Sequence, residues 1–236
     1  MIDWHSHILP AMDDGSRSVE ESVQMLEALK EQDVDLVIAT PHFYANEESV
    51  EDFLLRRKNS FDQLRSKMGE GADIIRLGAE VRYYPGISRM DGLEKLAIEN
   101  TNLLLLEMPL AKWTKFVFKE LVEISNTRGL KIILAHIERY MMFQSGNPFE
   151  ELIENGILMQ SNASFFQRGY SRQKAIRLLR SGGIQFVGSD CHNMTTRAPN
   201  VSSAYELIKR RFGEGYASQM IEYGYSVLKK HEKSSS

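Results

Sequence analysis

The sequence contains a single cysteine, Cys191, among its 236 residues. An intrachain disulfide is therefore excluded, a zinc site built on several thiolates is excluded with it, and the reducing cytoplasm is the expected compartment. Long hydrophobic runs are also missing, since the four leucines at 103–106 are far too few to cross a bilayer. The first residues have neither the basic start nor the long apolar run of a signal peptide. No direct membrane insertion is expected.

The chain has no excess of positive charge. Its formal net charge is −3, so it presents no overall basic field, and no nucleic-acid partner is expected. Low-complexity linkers are absent as well, while 42% of the residues are hydrophobic, which is enough for a sizeable core. We therefore expect one domain over residues 1–228, followed by a polar, disordered tail at 229–236.

Short apolar runs alternate with amphipathic stretches along the chain. Ser18-Val19-Glu20-Glu21 is a capping box that predicts the start of a helix, and the apolar residues after it recur at helical spacing. Alternation of this kind predicts parallel β-α-β units with right-handed crossovers. The seven predicted strands are Met1–His5, Asp35–Thr40, Ile74–Ala79, Leu103–Glu107, Lys131–Ala135, Ile157–Gln160 and Ile184–Gly188.

Seven such units in one domain indicate an α/β fold that resembles the eight-stranded TIM barrel but lacks one strand. The alternative is an open, doubly wound parallel sheet. That fold often carries a Gly-rich phosphate loop, and the sequence contains neither G-x-G-x-x-G nor a Walker motif. The barrel is the favoured prediction.

Histidines and carboxylates gather near the ends of the predicted strands. In α/β barrels the carboxyl ends of the strands carry the active site. Asp14 lies further on, in the loop after the first strand, and His231 falls in the predicted tail and is set aside. The candidate metal ligands are His5, His7, Asp14, His42, Glu80, Glu107, His136, Asp190 and His192.

Two pairs within this set have strand spacing. In His5-Ser6-His7 and in Asp190-Cys191-His192 the outer residues point to the same face, so each pair can hold one ion. A lone histidine at a strand end is more often a hydrogen-bonded core residue, but that explanation does not suit nine such residues together. Imidazole and carboxylate ligands suit manganese, iron or zinc. Nine ligands are too many for one ion and enough for two or three.

The order of these motifs resembles a known family. The segments M-I-D-x-H-S-H-I-L-P-x-x-D-D-G, A-T-P-H, G-A-E, L-L-E, A-H-x-E-R and S-D-x-H-N-x-x-x-R resemble the polymerase and histidinol phosphatase (PHP) family and, within it, the bacterial protein-tyrosine phosphatases of capsule and exopolysaccharide systems. The resemblance implies a distorted seven-stranded (β/α)7 barrel and three divalent ions, with manganese favoured over iron or zinc. It implies the nine residues above as ligands, with Glu80 bridging, and it alone selects Asp14 over the adjacent Asp13.

The resemblance also implies an activity. The expected substrate is a phosphotyrosine protein, typically the tail of a membrane-associated bacterial tyrosine kinase of polysaccharide synthesis. Hydrolysis would use a hydroxide formed at the metal ions, which lower the pKa of water. Arg139 and Arg197 are expected to bind the phosphate through their forked N–H donors and to assist catalysis. As ordinary residues, Arg139 would pair with Glu138 at the surface and Arg197 would brace a loop.

Other hypotheses compete with this one. Cys191 and Arg197 have the C-x5-R spacing of cysteine-dependent tyrosine phosphatases, although no glycine lies between them. Within the PHP family, a small-molecule phosphatase such as one for histidinol phosphate, or an exonuclease, is an alternative. A metal-binding scaffold without activity is another. Aromatic residues after strand ends are weaker candidates for a groove that receives a phenyl ring: Phe43, Tyr44, Tyr83, Tyr84, Trp113, Phe165 and Phe166.

Overall fold

The structure is a computed structural model that describes residues 1–144, 148–167 and 169–233. Its strands are β1 (Ile2–Ser6), β2 (Leu36–Ala39), β3 (His42–Phe43), β4 (Ile75–Leu77), β5 (Glu80–Arg82), β6 (Leu103–Glu107), β7 (Lys131–Leu134), β8 (Leu158–Asn162) and β9 (Phe186–Gly188). Its α-helices are α1 (Val19–Lys30), α2 (Val50–Met68), α3 (Lys115–Arg128), α4 (Pro148–Glu154), α5 (Gly169–Arg180), α6 (Val201–Phe212) and α7 (Glu214–Lys230).

The strands form a curled parallel sheet. One ladder has the order β1-β2-β4 and the other the order β3-β5-β6-β7-β8-β9. All pairings are parallel. At one junction the two ladders meet, because Asp190 N donates to His5 O at 2.8 Å and His7 N donates to Cys191 O at 2.9 Å. The predicted α/β class is confirmed, with each predicted strand overlapping an observed one.

Two short strands lie beyond the bounds of the predicted ones. Strand β3 follows β2 after a break at Thr40-Pro41, where the proline has no N–H to donate to a ladder. Strand β5 follows β4 after a break at Gly78-Ala79. Both breaks lie side by side, and Glu80 N donates to Pro41 O at 3.0 Å across them. They bend the sheet at the point where His42 and Glu80 begin their short strands.

The predicted helix start is confirmed at α1, with Ser18 as its N-cap. The Ser18 hydroxyl accepts from Glu21 N at 3.2 Å, as in a capping box, but the Glu21 carboxylate accepts from Arg17 N at 2.9 Å and not from Ser18 N. Met25, Leu26 and Leu29 on the same helix are fully buried against the outer face of the sheet. An amphipathic helix of this kind is stabilised mainly by the apolar face it buries.

The inner face of the curled sheet carries an apolar cluster that is capped by α7. Trp4 of β1 stacks on Phe186 of β9 with ring centroids 3.9 Å apart. Val227 and Leu228 of α7 belong to the same cluster. A side chain at Gly224 would lie 3.3 Å from the Trp4 ring, so this glycine lets the helix approach closely. The interior near the amino ends of the strands is thus filled with apolar side chains. The polar side chains occupy the interior near the carboxyl ends.

The prediction of a disordered tail at 229–236 is wrong for residues 229–233. Helix α7 continues to Lys230. His231 Nδ1 lies 2.7 Å from Asn102 Oδ1, and Lys233 N donates to Asn100 O at 2.8 Å. The polar tail is ordered because the loop before β6 offers it hydrogen-bonding groups, which local composition does not reveal. Residues 234–236 lie outside the described part.

None of the helices among the described residues combines the length and the apolar character that a bilayer span requires.

Candidate metal centre

The nine candidate ligands converge at the carboxyl ends of the strands. Within each of four overlapping groups, the ligand atoms all lie within 4.8 Å of one another. Each of the nine residues belongs to at least one group. The groups are His7, Asp14, His42 and His192; His5, His7 and Asp190; His5, Glu80 and His136; and His42, Glu80 and Glu107.

A bulge in β1 brings the first pair of histidines inward. Trp4 belongs to the interior apolar cluster, and strict alternation would turn the next residue outward. The β1–β2 register shifts between Asp3 and Ser6, so His5 faces the interior as well. His7, two residues on, points the same way, with the two Nε2 atoms 3.1 Å apart. His5 and His7 therefore share a face, as their spacing predicts. The alternation of side-chain direction fails one residue earlier, because Trp4 and His5 both face the interior.

The backbone of His136 is left-handed, with φ 30°. Ala135 faces the interior cluster, so an extended His136 would point outward. The left-handed conformation turns the ring inward, where Nε2 lies 2.6 Å from Glu80 Oε1. Asp190 is also left-handed, with φ 53°. Non-glycine residues rarely adopt this conformation, and strain of this kind is typical of functional sites.

Glu80 is the centre of the cluster. Its carboxylate lies 3.2 Å from His5 Nε2, 3.3 Å from His7 Nε2 and 2.9 Å from His42 Nδ1. Burial by itself would raise the pKa of Glu80, but the surrounding imidazoles, His5 first, hold the pKa well below its usual range. This carboxylate therefore stays ionised, with an oxygen on each side for a cation.

The two adjacent aspartates have different surroundings. Asp13 accepts from His7 Nδ1 at 2.7 Å, from His42 N at 2.8 Å and from Gly15 N at 2.9 Å. It fixes the His7 ring with Nε2 toward the cluster, as carboxylates behind metal-bound histidines do. Asp14 points into the cluster, with Oδ1 3.4 Å from His42 Nε2 and 3.3 Å from His192 Nε2.

Two buried residues behind the cluster were missed by the sequence analysis. Gln160 Oε1 accepts from His136 N at 2.6 Å and lies 3.4 Å from His5 Nδ1. Tyr140 Oη lies 3.1 Å from His136 Nδ1 and accepts from Met108 N at 2.9 Å. The signal for Gln160 in the sequence is its position two residues after Leu158, on the same inward face of β8.

Asp190 lies between two arginines. Arg139 Nη2 donates to its Oδ2, and Arg197 Nη2 lies 2.7 Å from its Oδ1. Burial would raise the pKa of Asp190, but His5, His7 and Arg139 hold it well below its usual range. Both arginines line a cavity of about 350 Å³ at the edge of the cluster. The surface pairing of Arg139 with Glu138 is not formed, because Glu138 is turned inward and accepts from Ser161 Oγ at 3.0 Å.

The ligand set fits a group of divalent ions. His42 Nδ1 and His192 Nε2 are buried atoms that lie 2.9 Å from the Glu80 carboxylate and 3.3 Å from Asp14 Oδ1, but neither makes a hydrogen bond of acceptable geometry among the described residues. A cation between each nitrogen and its carboxylate would satisfy both groups.

Burial and the nearby His7 lower the pKa of His192 to about 4, so its imidazole is neutral near pH 7. The carboxylates beside His5 and His7 outweigh burial and raise the pKa of these two histidines. Because a metal ligand must be neutral, ions that bind His5 and His7 would displace protons. Imidazole nitrogens and carboxylate oxygens together suit manganese, iron or zinc.

Cys191 packs with the apolar residues on the outer face of the sheet, among them Met25 and Leu26 of α1, and it belongs to none of the ligand groups that contain Asp190 and His192. It is fully buried, and burial and the neighbouring Asp3 raise the pKa of its thiol. A nucleophilic cysteine requires the opposite, an accessible thiolate with a lowered pKa. The C-x5-R hypothesis is therefore wrong for this chain.

The candidate aromatic residues separate into two groups. Tyr44, Tyr83 and Tyr84 line a cavity of about 370 Å³ near the cluster. The remaining candidates are core residues, buried among apolar side chains: Phe43, Trp113, Phe165 and Phe166.

Proteins of known sequence and structure resemble this chain along nearly its whole length. Tyrosine-protein phosphatase CpsB of Streptococcus agalactiae is 31% identical, with 98% of this chain and 99% of that protein covered. Tyrosine-protein phosphatase YwqE of Bacillus subtilis is 28% identical, with 97% and 92% covered.

A solved structure agrees with these relatives. It comes from a study of YwqE from Bacillus subtilis and CpsB from Streptococcus pneumoniae, described as unique metal-dependent tyrosine phosphatases. It superposes with a TM-score of 0.82 at 26% identity and covers 94% of this chain and 92% of its own. The family model for capsular polysaccharide synthesis, CpsB/CapC, matches residues 1–228. The chain therefore belongs to the CpsB/CapC family of capsular polysaccharide synthesis.

Proposed function

We propose that this protein is a metal-dependent protein-tyrosine phosphatase that hydrolyses phosphotyrosine on bacterial proteins. The observation that carries this proposal is the convergence of nine imidazole and carboxylate side chains beside two arginines at one end of the sheet. Full-length relatives named tyrosine-protein phosphatases support the choice of phosphotyrosine over other phosphoesters. A protein kinase of the same polysaccharide system is the proposed substrate.

The nine converging residues would hold the ions. Three divalent ions are proposed, with manganese favoured over iron or zinc, as the resemblance to the phosphatase family implies. Four overlapping ligand groups that share His5, His7, His42 and Glu80 support a site for more than one ion. Glu80 would bridge, since its two oxygens face different histidines. When bound, such ions supply an activated water nucleophile and neutralise charge on the phosphate oxygens.

The arginines position the phosphate. Arg139 and Arg197 grip Asp190 from two sides and expose about a third of their side chains to the adjacent cavity. A guanidinium offers planar, forked donors that match phosphate oxygens and stay charged at all relevant pH values. The leaving phenolate has a conjugate-acid pKa of about 10, so a strong general acid is not required of the protein.

Two finer statements belong with this proposal. Counting β2 with β3 and β4 with β5 gives seven strand positions, and the β1–β9 hydrogen bonds support a distorted seven-stranded (β/α)7 barrel. Residues 1–228 are proposed as its single domain. A cytoplasmic location also stays a prediction from the sequence.

Metal removal and reloading test the function. Chelation should abolish turnover of a phosphotyrosine peptide, and adding back manganese, iron or zinc one at a time should restore it, most strongly with manganese. Metal content is measured on the same samples, prepared without a metal-affinity column. Full turnover in metal-free protein would refute the proposal.

Substrate comparison separates this function from its alternatives. A phosphotyrosine peptide should be hydrolysed faster than the matched phosphoserine peptide and than histidinol phosphate. Preference for the small phosphomonoester would favour a metabolic phosphatase. A metal-loaded sample that turns over none of them would favour a binding scaffold.

A further inference from the structure

A second cavity, separate from that of the paired arginines, lies beside the metal centre. Its volume is about 370 Å³, and it shares no lining residue with the cavity of Arg139 and Arg197. It begins next to a proposed ligand, because the Tyr44 ring stacks on His42 with centroids 5.3 Å apart. The lining residues are Tyr44, Ala45, Asn46, Arg82, Tyr83 and Tyr84. The proposed chemistry makes no use of this cavity.

One wall of this cavity is held from behind by a buried carboxylate. Glu120 of α3 accepts from Tyr83 Oη at 2.6 Å, from Gly86 N at 2.8 Å and from Ser88 Oγ at 3.1 Å. Tyr83 N also donates to the Glu107 carbonyl at 2.8 Å. The wall is therefore preformed, and a ligand would bind without the cost of ordering it.

Arg82 is the one charged residue in the lining. Its side chain is 52% exposed and donates from Nη1 to Glu107 Oε2 at a long 3.5 Å. The guanidinium also lies 5.8 Å from the Tyr44 ring centre. The bond to Glu107 accounts for one of the five N–H groups of an arginine. The remaining donors are available to a ligand. Glu107 is itself a proposed metal ligand, so bound ions would compete with Arg82 for its carboxylate.

We propose that this cavity binds an acidic side chain, Asp or Glu, close in sequence to the phosphotyrosine of the substrate. This inference rests on the proposed function. A carboxylate pairs with the forked donors of Arg82, whereas a phenyl ring in the cavity would accept no such hydrogen bonds from them. The ring centroids of His42 and Tyr44 are 5.3 Å apart, and the Arg82 guanidinium carbon lies 5.8 Å from the Tyr44 centroid. An extended peptide covers that span within about three residues.

The test compares matched phosphotyrosine peptides. One has only neutral residues around the phosphotyrosine, and the others carry one Glu at successive positions within about three residues on either side. At the best position, kcat/KM of the wild-type protein should exceed that for the neutral peptide about two- to fivefold, because a half-exposed ion pair is weakened by solvent. The quantity followed in each variant is this acidic-to-neutral ratio, which is unaffected by a general loss of activity.

Variants at Arg82 should change the ratio specifically. Arg82→Gln should bring it close to unity, and Arg82→Lys should give an intermediate value because the charge remains without the fork. The ratio should also fall with added salt, since the site is half-exposed.

Arg89→Gln is the matched control. This exposed arginine follows the same strand but does not line the cavity, so the ratio should keep its wild-type value. A wild-type ratio near unity at every position, an unchanged ratio in Arg82→Gln, or an equal drop in Arg89→Gln would each overturn the inference. Failure of the proposed function is distinguishable, because no phosphotyrosine peptide would then be turned over at all.

Discussion

Asp13 accepts a hydrogen bond from His7 Nδ1 at 2.7 Å, and so the carboxylate beside the candidate ligand Asp14 orients a different ligand. The pKa of Asp13 lies well below its usual range: burial would raise it, but His7 and the backbone N–H groups of His42 and Gly15 outweigh burial. The carboxylate is thus ionised and fixes which nitrogen of His7 faces the cluster.

Asp13→Asn should weaken metal binding by about 10- to 100-fold without changing the number of ions at saturation, because it removes the charge behind a ligand and not the ligand itself. Asp14→Asn should instead lower the number of ions bound. Chelator competition combined with metal analysis measures both quantities. Asp62→Asn, on the exposed face of α2, is the control and should change neither. If Asp13→Asn lowered the number of bound ions and Asp14→Asn only weakened binding, Asp13 would be the ligand and Asp14 the supporting carboxylate.

Cys191→Ser should keep phosphatase activity within about threefold of wild type, because the thiol is buried away from the cluster and its pKa is raised. The variant should lose about 1–2 kcal/mol of stability, since a hydroxyl replaces a thiol in an apolar site. Activity assays and urea unfolding check the two parts. Near-total loss of activity in a folded, metal-loaded variant would restore the cysteine mechanism.

Glu80→Gln should abolish most metal-dependent stabilisation. A ligand present at about 100 times its dissociation constant stabilises the folded state by about 2.7 kcal/mol, and each kcal/mol shifts Tm by about 2–4 °C at this chain length. The wild-type Tm should therefore rise by several degrees on adding metal, and the variant should show little of that rise because Glu80 belongs to two ligand groups.

Thermal unfolding with and without chelator measures the effect. Glu48→Gln, whose carboxylate pairs with Arg56 outside the cluster, serves as the control and should respond to metal as the wild type does. An equal metal response in Glu80→Gln would exclude this residue as a central ligand.

Glu120→Ala should destabilise the protein by about 3 kcal/mol or more, because it leaves Tyr83 Oη, Gly86 N and the Ser88 groups without their buried acceptor. Urea unfolding gives the magnitude. Metal content should be unchanged, since Glu120 belongs to none of the candidate ligand groups. Loss of metal without loss of stability would contradict this assignment.

The sequence by itself determined the α/β class, the approximate strands and the candidate ligand set. These follow from local patterns: apolar runs of strand length, a capping box, and polar residues placed where strands end. The i, i+2 spacing of His5 and His7 also gave their common direction correctly. The structure then brought all nine candidate ligands together, which is what successive parallel strands impose on residues at their carboxyl ends.

Only the tertiary structure decided how each side chain reaches the cluster. The β1 bulge before His5 and the left-handed backbone of His136 reverse the direction that alternation predicts. The hydrogen bond from His42 N to Asp13, the support from Gln160 and the anchoring of His231 each depend on a partner more than 20 residues away. Local propensity carries no information about such partners. They are fixed by long-range packing, which can hold a strained backbone where the surrounding contacts compensate for it.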